Sequence, residues 1–598
     1  MRPSPPRGDH TTPQLPLSGD RTTLAFTSMS AYRTPAGRSG PQLQAAAPVM
    51  YLVPILLIFL VAQRGFVVGM STTGLKQPLP PNRSQGALYE HALVPSYGDP
   101  GGRSHRARRR PHRGDGRRGP GRRVRRRGSA DAGDLSPPRR DATNTSFRVR
   151  VRTAPDGDWR TLDIWRPQLA EINPTTGSAK TYNSSLAYFD FRGSVEVEVT
   201  YLKGGTSKVR VRPDSYGITP EVGGDTLVFT LDRPRNVVVQ INDDIFDCLH
   251  LFARAVGKKA PAQDDPNVLY YGPGVHTTAD GTLLVPSGKT VYLDGGAVLK
   301  ATVVFRGVEH AGIAGRGVLA GTAGGGILVE NARNISIGAV TTLNPAGYAV
   351  QLGEATGVTI KGLCSFSSKG WGDGIDVFCS SDVVVDGVFM RNSDDCIAIY
   401  THRWDYYGDT TDVTVRNSTL WADVAHPINV GTHGNTDNPE VLKNLRFKNI
   451  DILDHREPQM NYQGCIALNP GDSNLIKNVR IEDVRIEDFR WGQVIYMKVM
   501  YNTKYNTAVG RGIQNVYVKN LSYTGTNAKP TLLLGYDADH AIKDVTFENL
   551  VINGLVVADS MKKPGWYYTT DMIQWFANEH VLNLKFLTTA EAEAAAAS

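Results

Sequence analysis

Two adjacent carboxylates, Asp394 and Asp395 in "RNSDDCIAIY" (391–400), stand immediately before an alternating apolar run. In a strand, successive side chains face opposite sides, so a strand carrying Ile397 and Ile399 inward would carry Asp395 inward with them. An unpaired buried carboxylate is costly. Both aspartates are therefore expected on the turn ahead of a strand that begins near Cys396, facing water or a ligand. Asp373, in "GWGDGIDVF", lies 21 residues before Asp394 and precedes a similar run. His433 follows "PINV" in "INVGTHGNT", and Lys498 sits in "VIYMKVMY". If these runs stack as repeats, three carboxylates, an imidazole and an ammonium share one outer face. Three carboxylates so close cannot ionise independently, so at least one should hold a proton near neutrality. A protonated and an ionised carboxyl together suit glycosidic bond cleavage, which needs an acid for the leaving oxygen and a base or nucleophile opposite. Trp371, Trp404, Tyr406, Tyr407 and Trp421 on the neighbouring loops would offer flat faces to sugar rings. A rung step of about 4.8 Å fits either the retaining or the inverting gap between carboxylates.

The elements that must position these groups are repeats. "NISIGAVTTL" from Asn334 is followed by like segments from Gly357, Asp382, Asp412, Asn444, Asn478, Asn515 and Asp544, at spacings of 23 to 37 residues. Each carries a turn residue, alternating apolar positions, a polar corner and a second short strand. A constant pattern with variable spacing implies loops inserted at one corner of each rung, as in a parallel β-helix over 265–557. A leucine-rich repeat would need fixed Leu spacing and an asparagine ladder, which the pattern lacks.

Upstream, "SFRVRVRT", "LAYFDFRGSVEVEVTYL", "DTLVFTLD" and "RNVVVQIN" alternate with period two between Gly, Pro and Asp turns. Such patterning predicts antiparallel strands with one wet face, and a β-sandwich over 144–262 is the simplest architecture. The expected fold class is thus all-β, an antiparallel β-sandwich followed by a right-handed parallel β-helix, with 558–598 as a terminal cap. A chain of 598 residues exceeds what one ordinary core organises.

The net charge of +8 is local: residues 103–127 hold 13 Arg against one Asp, and the remainder is mildly acidic. No nucleic acid partner is expected for the folded part. Rich in Arg, Pro and Gly, the segment 1–143 is expected to be disordered or a targeting segment. Its one apolar island, Val49 to Ala62, has the length of a signal-peptide core and is short for a membrane span. Export to the exterior is the expectation, with a single-span membrane anchor as the alternative. The cysteines at 248, 364, 379, 396 and 465 show no CxxC pairing and are expected to be buried small apolar residues. No cofactor and no metal are expected, since too few further oxygen ligands surround the aspartates for calcium. A monomer acting on a polysaccharide or oligosaccharide is expected. Taken singly, Asp376 and Asp386 read as turn residues, His433 as a turn cap, Lys498 as a solvated strand residue and the tryptophans as loop packing.

"GDGIDVF", "NSDDCIAIY" and "GTHGN" resemble the signature of the polygalacturonase family of glycoside hydrolases, a right-handed parallel β-helix with Asn-Thr-Asp, Asp-Asp, Gly-His-Gly and Arg-Ile-Lys motifs. The related dextranase and isopullulanase family shares the aspartates and adds an N-terminal sandwich. The resemblance implies that Asp394 is the general acid, that Asp373 and Asp395 activate water in an inverting hydrolysis, and that His433 supports the acid. It implies substrate contacts from Lys498, and the rim positions Tyr496, Trp371, Trp404 and Tyr406 join it. Two motifs depart from the family: Asn-Thr-Asp is Trp371, Gly372, Asp373, and Arg-Ile-Lys is Tyr496, Met497, Lys498. Loss of the arginine removes a bidentate carboxylate ligand, so a neutral glycan, as for a dextranase, stands beside a uronate polymer as substrate. A polysaccharide lyase and a non-catalytic carbohydrate-binding β-helix are the remaining alternatives.

Overall fold

The computed structural model describes residues 132–134, 146–257, 259–460, 462–562 and 574–597. The apolar run 49–62, the arginine-rich run 103–127 and nearly all of the expected 1–143 segment lie outside the described residues. Among the described residues no helix is long and apolar enough to cross a membrane.

From Val268 to Leu587 the strands stack as one 29-stranded sheet, parallel except for the pair Leu550–Ile552 and Leu555–Val557, wound into a right-handed β-helix. Its register shows why the sequence repeats. Val350, Ile375, Ile397, Ile428, Ile466 and Ile495 lie one above another in successive rungs and all point into the solenoid core. β-Branched side chains suit such columns because they pack well on a pleated surface. The eight repeat starts named above all have a positive φ, between 54° and 70°. Asn, Asp and Gly tolerate this left-handed turn where other residues do not.

These corner residues correct one expectation from the sequence. Asparagine ladders are present: Asn444 donates to Asp412 at 3.0 Å, Asn478 to Asn444 at 3.1 Å and Asn515 to Asn478 at 2.9 Å. Variable loop lengths conceal their regular spacing in the sequence. The last rung also runs beyond 557, since Val581–Leu587 pairs with Ile542–Glu548 before a helix at Thr589–Ala597.

Residues 132–134 and 147–255 form two five-stranded sheets and a two-stranded one, Gln168–Ile172 with Ala179–Asn183, antiparallel except where Leu249–Ala255 runs parallel to Ser185–Phe191. Their facing sides share a core that includes Phe147, Val197, Phe229 and Val239. The other side of one sheet meets the β-helix. Trp165, Leu186, Tyr188 and Phe252 pack with Leu343, Phe366, Phe389, Trp421 and Leu453 in one buried cluster. Arg391 is fully buried in this seam, paired with Asp423 at 3.1 Å, donating to His250 Nε2 at 3.1 Å and lying 3.8 Å over the Trp421 ring. Trp421 is therefore a seam residue and not the rim aromatic its loop suggested. All five cysteines are free and buried.

Candidate active site

Asp373, Asp395 and His426 each stand two residues before a strand of one stacked column: Ile375–Phe378, Ile397–Tyr400 and Ile428–Gly431. The register aligns Ile375 with Ile397 and Ile397 with Ile428. Asp373 therefore stacks under Asp395, one residue out of phase with the alignment to Asp394 expected from sequence. Carboxylate oxygens of Asp373, Asp394 and Asp395 lie within 4.8 Å of one another. Hydroxyls fix the turns that carry them: Ser393 N–H donates to Ser367 Oγ at 2.8 Å, and Ser393 Oγ donates to the Lys369 carbonyl at 2.6 Å.

The adjacent aspartates do not share the wet turn expected for them. Asp394 is half-buried, while Asp395 is 4% exposed. Partners make burial of Asp395 tolerable. Its Oδ1 accepts from the His426 backbone N–H at 2.9 Å and lies 2.7 Å from His426 Nδ1, and its Oδ2 accepts from Asn429 at 2.8 Å and from the Tyr400 hydroxyl at 3.2 Å. His426 Nε2 lies 2.7 Å from the Tyr462 carbonyl. With an acceptor at each ring nitrogen, His426 is placed as a doubly protonated imidazolium. Burial alone would lower its pKa, but the Asp395 charge and hydrogen bond raise it to about 9. Burial would likewise raise Asp395, but the His426 charge and the bonds from His426 and Asn429 outweigh it and hold the carboxyl below its usual range.

The neighbouring carboxyls move the other way. Burial and then the Asp395 charge raise Asp394 to about 8. Burial, followed by repulsion from Asp376, Asp394 and Asp395, pushes Asp373 well above the usual range. Asp376, read from sequence as a turn residue, lies fully buried on the outer face of strand Ile375–Phe378. Its carboxyl lies within hydrogen-bonding reach of Asp373, and its pKa rises through burial and then the charges of Asp395 and Asp394. The result is one carboxylate held ionised beside carboxyls that retain protons near neutrality. Among the described residues this trio is also the one acidic group converging closely enough to hold a cation.

His433 lies apart from this network. Its ring meets the Tyr400 ring edge-on at 5.1 Å, and burial, then the charges of Arg403 and His402, keep it neutral. No hydrogen bond joins its side chain to any of the three aspartates among the described residues. His426 is the functional candidate that sequence reasoning missed. The signal was its place two residues before Ile428, the phase that Asp373 and Asp395 occupy in their rungs. Trp371 and Trp404 are 58% and 48% exposed at the rim, and Tyr406 is half-buried against Phe378. Lys498, half-buried, and Tyr496, 1% exposed, lie on the outer face two rungs beyond His426. Tyr496 presents almost no surface for substrate, contrary to its place among the rim positions, because neighbouring segments cover it.

Among solved structures, Dex49A from Penicillium minioluteum aligns at 12% identity with a TM-score of 0.45, over 75% of this chain and 96% of that one. A Yersinia enterocolitica family 28 exopolygalacturonase aligns at 13% identity with a TM-score of 0.40, over 71% and 99%. The polygalacturonase of Erwinia carotovora ssp. carotovora aligns at 14% identity with a TM-score of 0.35, over 57% and 91%. No curated protein sequence matches. Residues 303–564, which contain all three aspartates and His426, match the model of glycosyl hydrolases family 28. The β-helix is accordingly similar over this stretch to family 28 glycosyl hydrolases, and the chain is an O-glycosyl hydrolase acting on polysaccharide.

Proposed function

We propose that the chain hydrolyses glycosidic bonds with inversion at the anomeric carbon, with Asp394 as general acid and Asp373 and Asp395 holding the attacking water. The observation that carries this reading is the convergence of three carboxyls within 4.8 Å, one of them, Asp395, held by His426, Asn429 and Tyr400. Asp394, raised to about 8, keeps its proton at neutral pH and can deliver it to the leaving oxygen. Asp395, held ionised by His426, can accept a proton from water. A single water donating to two oxygens spans roughly 5 Å at ordinary hydrogen-bond lengths, and the separation within 4.8 Å matches that span. The water would thus lie between Asp373 and Asp395, and not in the wider gap of roughly 6.5–9.5 Å that a simple acid–base pair keeps.

His426 then acts through Asp395, and the exposed indoles of Trp371 and Trp404 stack on sugar rings. Tyr496, in place of the family's arginine, supports a neutral glycan as substrate, and the assay therefore spans both classes. The apolar run 49–62 supports export of the chain, which fractionation of expressing cells would test. The enzymatic test is reducing-end release from polygalacturonate, dextran, pullulan and arabinan, with Asp394→Asn as control. Release from one polymer that is lost in the control supports the reading. Equal release by both proteins would remove Asp394 from the mechanism.

A further inference from the structure

The outer face that carries the aspartates is open on one side of them and bridged on the other. Segment 499–511 leaves strand Ile495–Lys498 and is tied down at the C-terminal ends of earlier strands. There Asn506 donates to the Thr432 carbonyl, and the Thr507 N–H donates to Asp472 Oδ1 at 2.6 Å. Its tip reaches the N-terminal side of the same strands. Lys504 donates to Gln459 Oε1, and the Tyr505 hydroxyl donates to the same oxygen at 2.8 Å. The Lys504 ammonium also lies 3.4 Å from the Pro174 carbonyl, in the turn between strands Gln168–Ile172 and Ala179–Asn183 of the N-terminal sheets.

Tyr505 stacks on Tyr462 at 4.9 Å, and the Tyr462 hydroxyl accepts from Asn429, a ligand of Asp395. The bridge therefore begins one rung from the aspartates. Around it two polar side chains on the outer face are sealed. Asn469 and Tyr496 are 0% and 1% exposed, and neither the Asn469 amide nor the Tyr496 hydroxyl has a hydrogen-bond partner among the described residues. On the opposite side Trp371 and Trp404 remain open to solvent. The N-terminal turn contributes there as well: a Cβ on Gly177 would lie 2.7 Å from Cη2 of Trp371, so this backbone buttresses the indole edge.

We propose that this bridge makes the substrate groove blind just beyond the aspartates, so that the hydrolase, given the reading above, cuts short units from a chain end. A polymer lying along the stacked strands meets Tyr505 and Lys504 one rung past Asp395 and cannot continue. Pro174 and Gly177 of the N-terminal sheets complete the wall and brace the platform that receives the open side of the chain. The product should accordingly be a mono- or disaccharide from the first turnover.

On the polymer that the unchanged chain cleaves, mass spectrometry of early products and solution viscosity are followed together. Mono- or disaccharide with nearly constant viscosity is the expected result. The Lys504→Ala/Tyr505→Ala variant should lose that product bias and give mixed longer oligosaccharides with falling viscosity. Mixed products from the unchanged chain, or the same short products from the variant, would overturn the proposal. A second measurement needs no substrate: the Pro174→Cys/Lys504→Cys variant is treated with a short bis-maleimide, the native cysteines being buried. Cross-linking supports closure, and its failure overturns the proposal whatever the activity. Cross-linking without reducing-end release from any polymer would count against the hydrolytic reading and not against the closed groove.

Discussion

Replacing His426 by Asn isolates the charge that keeps Asp395 ionised, because an asparagine amide can still donate where Nδ1 does. His426 Nδ1 lies 2.7 Å from Asp395 Oδ1. With charge centres about 4 Å apart and an effective dielectric constant near 20, the attraction is about 4 kcal/mol. That sets an upper bound of roughly 3 pH units on the shift, and opposite charges at this range usually move a carboxyl by about 1–3 units. The acid limb of kcat/KM should therefore move up by about 1–3 units in H426N. His426 also lowers Asp394, so the alkaline limb should move up too, though by less. The assay is kcat/KM between pH 3 and 10, with urea unfolding at each pH to confirm the folded state. His433→Asn serves as control and should leave the acid limb in place, since His433 bonds to none of the aspartates. An unchanged acid limb in folded H426N would refute the claim that the imidazolium sets the ionisation of Asp395. Stability provides a second reading. The pKa of His426 is raised in the fold, so its contribution is complete below its ordinary value and is lost as pH rises through about 9. The pKa of Asp395 is lowered, so its contribution is present above the ordinary carboxylate value and is lost as pH falls through the folded one. The stability gap between the native chain and H426N should thus be widest between about pH 4 and 6.5.

Four further outcomes are expected. Asp394→Asn should lower kcat by about 10²–10⁴-fold, the usual contribution of a positioned acid, while calorimetric affinity for the substrate is retained. The native enzyme should lose kcat/KM as pH rises through about 8, where Asp394 gives up its proton; a flat profile to pH 10 would exclude it as the acid. Proton NMR of the first product should show the inverted anomer before mutarotation. Arg391→Met removes one partner of a buried pair and should cost about 3–5 kcal/mol in urea unfolding.

The solenoid was legible because its turn residues repeat: Asn334, Asn444, Asn478 and Asn515 each mark a left-handed corner. The convergence of the aspartates was legible, since their spacing is close to one rung. Their phase was not, because a one-residue slip between Asp394 and Asp395 changes which side chain is buried and which half-exposed, and alternation alone does not locate the strand start. His426 was hidden for a related reason. A histidine before "PINV" carries no signal until the register sets it on Asp395. Asp376 looked like a turn residue because a carboxyl on a strand next to other carboxyls is unfavourable, and burial with its proton retained is how the fold accommodates it. Trp421 shows the limit for aromatics: a rim platform and a seam residue differ only in what covers them, here Arg391.

The apolar seam between the N-terminal sheets and the β-helix bears on how the chain reaches its native state. Synthesis delivers the sheets first, so Trp165, Tyr188 and Phe252 can form a finished surface before Leu343, Phe366, Phe389 and Trp421 leave the ribosome. A solenoid can start to coil at any rung, and parallel strands pair slowly because their contacts are far apart in sequence. A waiting template favours one starting point, the rungs from Val298 to Leu453 that dock on it, and the later rungs can then add in order. A chain beginning at residue 265 would lack that template and should aggregate on refolding where the full chain recovers.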